Sequence, residues 1–274
     1  MRPESGFDLT TFVHRNLQAD IETALAADYR ELSTLKAPPT VLRHPGAPVL
    51  SLPQPLTVDT PLDRTIKARG SRRDFGGAAM TVAELATVLH YAAGVRKTIM
   101  AYNTREFPVR YTPNAGGLQS PEIFLVVNRV PDLKRGLYHF VTDDHALELL
   151  NEGNMRRKLV GMSLFQEWMH HADVVLILTT DLDRLLWKYG PRSYRYAHMD
   201  VGYVSAHVYL VTAALRLRTS AVSGFLDDAM NDFLELDGTR RFVQLLMPIG
   251  RRPGVLADAA CAVAGSGADE VETD

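Results

Sequence analysis

The segment between positions 187 and 202, WKYGPRSYRYAHMDVG, holds the residues whose types and spacing most suggest chemistry. It contains one lysine, three tyrosines, two arginines and one histidine, and it leads into a long apolar run that is typical of a buried helix. Burial favours the neutral form of a lysine, whereas a neighbouring ammonium favours the phenolate form of a tyrosine. We therefore predict that Lys188 and Tyr189 form a proton-transfer pair near neutral pH.

A structural role is the alternative interpretation of this pattern. Lys188 could extend its ammonium group into solvent from the end of a helix, and the tyrosines could be interface residues with hydrated hydroxyl groups. However, the order Lys-Tyr, Arg, Tyr-Arg, an acidic residue and Gly resembles the signature of the azoline dehydrogenases of the nitroreductase superfamily. These flavoenzymes oxidise thiazolines and oxazolines in ribosomal peptides. The resemblance implies that Lys188 and Tyr189 are the catalytic residues.

The charge balance of the chain argues against two classes of partner. The 274 residues include 30 basic and 32 acidic side chains, and the formal net charge is -2. Such a balance argues against an electrostatically driven nucleic-acid binder and against a polybasic membrane surface. We therefore expect a small or peptidic partner.

Cysteine usage and the absence of several motifs narrow the function further. The single cysteine, Cys261, excludes an internal disulfide and a metal site built from several cysteines. No apolar run is long enough to cross a bilayer and no signal-peptide pattern follows Met1, so we expect a cytoplasmic protein.

The motifs of P-loop proteins, dinucleotide-binding folds, zinc proteases and serine hydrolases are absent. The adjacent His170 and His171 would point about 100° apart on a helix, and no metal site is predicted.

A basic segment, RGSRRDF, follows a predicted helix that begins after Thr60-Pro61 and ends at about Arg69. Guanidinium groups in such a cluster can bind a phosphate and the polar edge of a ring, although basic residues at a helix C-terminus also complement the helix dipole. The R-x-S-x-R spacing resembles the start of the FMN site in the nitroreductase superfamily. This resemblance implies that Arg69, Ser71 and Arg73 bind FMN.

A second segment, TPNAGGLQSPEIF, connects a predicted loop at 105–117 with a buried strand that starts at Glu122. It resembles the P-S-A-G-x-x-x-P-x-E block of the same family, which helps to enclose the flavin. Asn114 stands where serine is usual and Ser120 where tyrosine is usual, whereas Gly116 and Glu122 match. The resemblance implies that Asn114 and Gly116 contact the flavin.

The last candidate residues follow a predicted helix over about 194–217, which is so apolar that we expect it to be buried on every side, including by a second subunit. Small residues after it can let a ring approach the backbone closely, and the resemblance implies flavin contacts by Ser223 and Gly224. Arg251 and Arg252 follow the last predicted strand, FVQLLMPIG, where the superfamily often has a phosphate-binding residue. A surface arginine pair is the alternative for these two.

Three regions are predicted along the chain. Residues 1–56 form an arm, with an amphipathic helix over 8–32 and a proline-rich connector over about 37–56. Residues 57–253 form the FMN domain, and residues 254–274 form an acidic tail. Within the FMN domain, Thr81 and Glu84 form a capping box for a helix that Gly94 ends.

Together these features predict an α+β nitroreductase-like FMN-binding fold with a mixed, mainly antiparallel sheet flanked by helices, working as a homodimer. The implied function is FMN-dependent oxidation of azoline rings in a modified peptide to thiazole or oxazole, with O2 as electron acceptor. A cyclodehydratase is a candidate partner. Two alternatives remain: another flavoenzyme of this fold, namely an NAD(P)H-dependent nitro or quinone reductase or a dehydroamino-acid-forming oxidase, and a non-catalytic flavin-binding subunit of a peptide-modifying complex.

Overall fold

The computed structural model describes residues 9–18 and 35–254. Its central feature is a seven-stranded sheet with the strand order β1-β6-β5-β4-β7-β9-β8, in which all neighbouring strands are antiparallel. A separate hairpin is formed by β2 and β3. The strands are β1 (Val49–Ser51), β2 (Val95–Ala101), β3 (Thr104–Arg110), β4 (Pro121–Val127), β5 (Gly136–Val141), β6 (Ala146–Glu152), β7 (Val174–Asp181), β8 (Arg218–Thr219) and β9 (Arg241–Gly250).

Helices cover both faces of this sheet. The longer ones are α3 and α6, and the remaining ones have seven or eight residues. They are α1 (Leu9–Asn16), α2 (Leu62–Ala68), α3 (Val82–Ala93), α4 (Arg156–Met162), α5 (Leu182–Tyr189), α6 (Ser193–Ala214) and α7 (Asp227–Phe233). This confirms the predicted α+β fold with a mainly antiparallel sheet.

The two central strands explain why the sheet needs cover on both sides. Every residue of β4 and β7 is buried. Successive side chains of a strand point to opposite faces. Ile123 and Leu125 therefore pack with α3 and α6 in one core, whereas Phe124 and Val126 pack with α4 and α7 in another. The near-continuous apolar run that predicted this strand reflects burial on both faces.

The capping box of α3 is present in both halves. The Glu84 amide donates to the Thr81 hydroxyl, and the Glu84 carboxylate accepts from the Thr81 amide. Gly94 follows the last turn, as predicted. The Thr60 hydroxyl, by contrast, does not cap α2 and donates to the Ala214 carbonyl oxygen instead.

Burial of α6 within this chain is confined to one stripe of the helix. Only seven of its 22 residues are buried, and they repeat at helical spacing along one stripe. The opposite stripe is exposed. It contains four residues at the same spacing: Met199, Gly202, Tyr203 and Ala206. Within this chain the helix is therefore covered on one side, and the expected cover of its other side by a second subunit stays a prediction.

A hairpin replaces most of the predicted loop at 105–117. Strands β2 and β3 pair across a two-residue turn formed by Tyr102 and Asn103, whose φ angles are 49° and 52°. Such turns favour Asn and Gly because both residues need positive φ, and a tyrosine there gives no turn signal. Only the part after Arg110 is irregular, including a short 3-10 turn over Ala115–Gly117.

The chemistry-bearing segment folds as the end of one helix and the start of another. Helix α5 was not predicted, and its last turn carries Lys188 and Tyr189. Gly190, with a φ of 54°, ends this helix and begins a short 3-10 turn over Gly190–Arg192 that leads into α6. The two side chains are therefore held by an ordered helix end.

Only part of the predicted N-terminal arm is described. Helix α1 lies within the predicted range of 8–32, but residues 19–34 and the predicted tail from 255 lie outside the described residues. The Arg192 guanidinium donates to the Leu17 carbonyl oxygen, so the residue after α1 contacts the segment before α6. Within the described ranges, no helix is both long and apolar enough to cross a membrane.

Candidate functional site

Lys188 and Tyr189 meet two residues from other parts of the chain. The Lys188 ammonium donates to the Tyr102 hydroxyl at 2.9 Å, and that hydroxyl donates to the Gly116 carbonyl oxygen at 2.6 Å. A methyl group at Gly116 would lie 2.5 Å from Tyr189 Oη, 3.1 Å from Tyr102 Oη and 3.4 Å from Lys188 Nζ. Two phenol groups and an ammonium group thus converge on one glycine, which we call the Lys188 cluster.

The pKa directions in this cluster differ from those predicted. Burial opposes the charge of Lys188, but the hydrogen bond to Tyr102 and the electrostatic effect of Tyr189 outweigh it and raise the pKa of the ammonium. Burial also raises the pKa of the Tyr189 phenol, against the opposing effect of Lys188. Both groups are therefore protonated in the free protein at neutral pH, contrary to the predicted directions, whereas their role as a proton-transfer pair stays a prediction.

A buried carboxylate fixes the glycine turn below this cluster. Asp200 of α6 accepts from the Ala115 amide at 2.8 Å and from the Ser120 hydroxyl at 2.7 Å. Burial raises the pKa of Asp200 to about 6, although both hydrogen bonds oppose this shift. Ser120, which departs from the family pattern, therefore helps to hold the turn.

Asn114 uses its side chain within the same turn. Its Nδ2 group donates to the Thr112 carbonyl oxygen at 3.3 Å, and its Oδ1 atom accepts from the Gln119 amide at 3.2 Å. These bonds shape the backbone around Gly116. Asn114 therefore takes part in positioning the turn, whatever contact it makes with a flavin.

The predicted FMN residues Arg69, Ser71 and Arg73 lie beside β8. Ser71 forms a parallel bridge with Thr219, and its hydroxyl is 2.8 Å from the Tyr209 hydroxyl of α6. The Tyr209 oxygen also accepts from the Ala221 amide at 2.7 Å. Tyr209 thus joins the basic segment to the loop that contains the other predicted flavin contacts.

This arginine-serine cluster fits an anionic group such as the FMN phosphate. Neither the Arg69 nor the Arg73 guanidinium forms a hydrogen bond or ion pair with another described residue; they lie over the rings of Tyr209 and Trp168, respectively. The hydroxyl groups of Thr219 and Ser220 are buried and have no partner within the described parts of the chain. Free forked donors and unsatisfied hydroxyl groups are what a phosphate would engage.

Ser223 and Gly224 follow this cluster along the chain. Ser223 is exposed, and a methyl group at Gly224 would be 3.6 Å from Leu164, an ordinary contact. Both lie in the segment between β8 and α7, and nothing in the local geometry requires glycine at 224. Their predicted flavin contacts remain predictions.

Arg251 is not available to a phosphate. Its side chain is only 2% exposed, and it donates to the Glu84 carboxylate of α3 at 2.7 Å. The predicted phosphate contact is wrong for this residue, because an internal carboxylate already occupies its guanidinium. Arg252 is exposed and its charge helps to lower the pKa of Asp74, so it remains the candidate of the pair.

Two clusters of the predicted site residues lie on opposite sides of α6. Asp200 holds the Lys188 cluster, whereas Tyr209 holds the arginine-serine cluster. Nine helical residues correspond to two and a half turns and a rise of about 14 Å, so these two side chains point in opposite directions. In one chain the predicted catalytic pair and the predicted phosphate ligands are therefore not brought together.

Glu122 anchors a buried network. Its carboxylate accepts from Arg184, from the Leu42 amide and from His139. Burial opposes its charge, but Arg184 and His139 outweigh that effect and lower the pKa of Glu122 to about 2. The residue ties the connector to the sheet and does not face the Lys188 cluster through any described contact.

Among the described residues, one cluster of three side chains could hold a metal ion. The ligand atoms of His44, His139 and Glu148 lie within 4.8 Å of one another. The Glu148 carboxylate is hydrogen-bonded to both imidazole rings, at 2.8 and 3.2 Å. These bonds satisfy the three side chains without an ion.

Sequence reasoning missed three residues that organise the site: Tyr102, Asp200 and Tyr209. Each acts through a contact with a distant part of the chain, at separations of 86, 85 and 138 residues. Asp200 was noted as the acidic position of the signature, but no pattern indicated its partners. Tyr102 carried no signal, because its turn lacks glycine.

Comparison with known proteins agrees with this fold. The model of the nitroreductase family matches residues 66–251. The protein MJ1384 of Methanocaldococcus jannaschii, whose name assigns it to the nitroreductases, is 30% identical over 191 residues, which cover 70% of this chain and 91% of MJ1384. The trifolitoxin-processing protein TfxB of Rhizobium leguminosarum is 25% identical over 155 residues, which cover 55% of this chain but only 42% of TfxB.

Solved structures give the same result. A structure from Anabaena variabilis described as a nitroreductase has a TM-score of 0.67 and 26% identity; the match covers 88% of this chain and 46% of that one. A chain of the E. coli microcin synthetase McbBCD complex has a TM-score of 0.53 and 18% identity, with 90% and 98% covered, which is a likeness of fold alone. The chain therefore belongs to the nitroreductase family of oxidoreductases, and its cofactor is FMN.

Proposed function

We propose that this protein is an FMN-dependent azoline dehydrogenase, which oxidises thiazoline or oxazoline rings of a modified peptide to thiazole or oxazole. The observation that carries the proposal is the convergence of Lys188, Tyr189 and Tyr102 on Gly116. A reductase that receives hydride from NAD(P)H needs no base for its substrate. Oxidation of an azoline does, because a carbon-bound proton must leave the ring.

The proposed reaction divides the work between protein and cofactor. Lys188, in its amine form, takes the proton from the ring carbon next to the carbonyl group and becomes an ammonium. FMN, held by residues such as Arg69, Ser71 and Arg73, would supply the acceptor for the hydride of the neighbouring ring carbon, and O2 would leave as H2O2 with that hydride and the proton taken up by Lys188. Tyr189 orients the amine and donates a hydrogen bond toward the substrate carbonyl oxygen, where negative charge develops. In the reverse assignment, Tyr189 is the base and Lys188 is the hydrogen-bond donor.

The protonation state of the free protein has a consequence for this proposal. Because the pKa of Lys188 is raised, the amine form is a minor species at neutral pH. The rate should therefore rise with pH as the amine accumulates. Lys188 must lose one proton before each turnover. A bound substrate would favour this loss by excluding water from the ammonium group.

Peptide substrates are supported by one relative. TfxB is named for trifolitoxin processing. It is 25% identical to this chain over 155 residues, which cover 55% of this chain. This chain spans less than half of TfxB, so substrate and partner are carried over as proposals. A cyclodehydratase, which would form the azoline, is the expected partner enzyme.

We also propose that the active form is a homodimer. The exposed stripe of α6, which includes Met199 and Tyr203, has the spacing of a helix-helix contact and leaves apolar surface uncovered. A second copy packed on it would let the Lys188 cluster of one subunit approach the arginine-serine cluster of the other. An obligate dimer of this kind should bury well over about 2,000 Å².

Anaerobic mixing with substrate tests the proposed function. The FMN-loaded protein is mixed with an azoline-containing peptide, and the flavin absorbance is followed. Rapid bleaching together with azole formation is expected, with a loss of two hydrogens in the peptide mass. Bleaching by NAD(P)H but not by the azoline peptide would favour the reductase alternative, and no bleaching by either would favour a non-catalytic subunit.

A further inference from the structure

We propose that Tyr102 is a further positioning residue of this site, which fixes the Lys188 amino group against Gly116 so that one face of the group remains free for the substrate. This inference rests on the proposed function. Tyr102 comes from the β2-β3 hairpin, far along the chain from the Lys-Tyr pair. The hairpin would thereby belong to the catalytic apparatus.

The ring of Tyr102 is held in one orientation. Its centroid lies 5.1 Å from that of Phe107 and 5.4 Å from that of Trp187, both in edge-to-face geometry. The residue occupies the first position of the two-residue turn with a positive φ, a conformation that costs a tyrosine about 1 kcal/mol. An unfavourable turn residue held between two aromatic rings suggests that its hydroxyl group, and not turn formation, is the reason for its presence.

The direction of the hydrogen bonds defines what Tyr102 can do. Its hydroxyl proton goes to the Gly116 carbonyl oxygen, so a lone pair of the hydroxyl oxygen faces Lys188 and accepts one of its three N–H groups. A backbone carbonyl does not take up a proton at ordinary pH, so the chain of bonds ends there. Tyr102 therefore positions Lys188 and does not carry protons away from it.

Among the described residues, few other groups compete for Lys188. The groups that face it are the Tyr102 hydroxyl from the hairpin, the Tyr189 phenol from its own helix and, behind Tyr189, the ring of Tyr196 from α6. None of the acidic side chains within 9–18 and 35–254 forms a salt bridge with Lys188. After burial, which opposes the charge, the bond to Tyr102 is the largest influence on the pKa of Lys188. Its removal should lower that pKa.

Competitive chemical labelling tests this inference. The FMN-loaded protein, without substrate, is treated with an amine-acylating reagent at a series of pH values, and labelling of Lys188 is followed by mass spectrometry. We expect the midpoint of labelling to move to lower pH in Tyr102→Phe. Phenylalanine keeps the ring packing against Phe107 and Trp187. Tyr138→Phe is the matched control, because it also loses a tyrosine bond to a backbone carbonyl, that of Lys134.

Turnover provides the second measurement. In Tyr102→Phe the rise of kcat/KM with pH should begin at lower pH, and kcat at its plateau should fall because the amine is less well oriented. An unchanged labelling midpoint in Tyr102→Phe, or an equal shift in Tyr138→Phe, would overturn the inference. The labelling midpoint requires no turnover, so it decides the role of Tyr102 even if azoline peptides prove not to be substrates.

Discussion

The Asp200 carboxylate accepts a 2.8 Å hydrogen bond from the Ala115 amide, immediately before the glycine on which the Lys188 cluster converges. This bond links α6 to the turn that supports the proposed catalytic groups. Asp200 is 1% exposed, so ionising its carboxyl group is costly. The Ala115 amide and the Ser120 hydroxyl, which both donate to it, offset part of this cost.

The first prediction concerns the pH dependence of stability. The pKa of Asp200 is raised from 3.8 to about 6, so stability from this group is present below the lower value and is lost as pH rises through the higher one. In Asp200→Asn the amide can accept from Ala115 and donate to Ser120 without a charge. The difference in free energy of unfolding between Asp200→Asn and wild type should therefore shift in favour of the variant from pH 4 to pH 7, by at most about 3 kcal/mol. Urea unfolding at several pH values measures this, and a difference independent of pH would refute it.

The second prediction concerns Gly116. In Gly116→Ala the new methyl group would overlap Tyr189 Oη, so Lys188 and Tyr189 must move. A displacement of this size costs about 10²-fold in turnover per bound flavin. Gly46→Ala is the control, because Gly46 also has positive φ but a methyl group there would meet no atom within 4 Å. Equal loss of azoline oxidation in both variants would point to backbone strain instead.

The third prediction separates the three neighbouring arginines. Arg69→Ala and Arg73→Ala should each weaken FMN binding by about 10- to 100-fold, the effect of one lost charge-assisted bond of about 1.5 to 3 kcal/mol. Arg72→Ala is the matched control, since this exposed residue of the same segment lies outside the R-x-S-x-R positions. Quenching of FMN fluorescence on titration measures the affinities. If Arg72→Ala is as costly as the other two, the segment acts only through its net charge.

The fourth prediction concerns the exposed stripe of α6. Tyr203→Arg adds a charge at the proposed dimer contact and should produce a monomer that also loses FMN. Asp232→Arg, an exposed position on α7, should remain dimeric. Light scattering coupled to size-exclusion chromatography distinguishes the two states. A wild-type protein that is an active, FMN-loaded monomer would contradict the dimer altogether.

The elements that could be predicted from sequence are those set by local patterns. Helix α6 was predicted within a few residues at each end, and the capping box of α3 from two side chains three residues apart. These depend on burial and capping, which leave a local signal. The mainly antiparallel sheet was confirmed, whereas α5 was not predicted and part of the helix predicted over 8–32 lies outside the described residues.

The arrangement of the site depended on contacts that leave no such signal. Arg251 was predicted as a phosphate ligand from its place after a strand, but it pairs with Glu84, 167 residues away. The hairpin of β2 and β3 was missed because Pro108 lies within one strand and the turn lacks glycine. The pKa direction of Lys188 was predicted from burial alone and was wrong because Tyr102 was not foreseen.

The most direct test of the proposed function is the turnover of an azoline-containing peptide by wild type, Lys188→Ala and Tyr189→Phe. A group that acts only in proton removal affects kcat by about 10² to 10⁴-fold and leaves the flavin bound. Both variants should therefore purify as yellow, folded proteins and lose most azoline oxidation, with Lys188→Ala the more severe, because a methyl group can neither take a proton nor orient the phenol. Wild-type rates in both variants would contradict the proposed function at its central point.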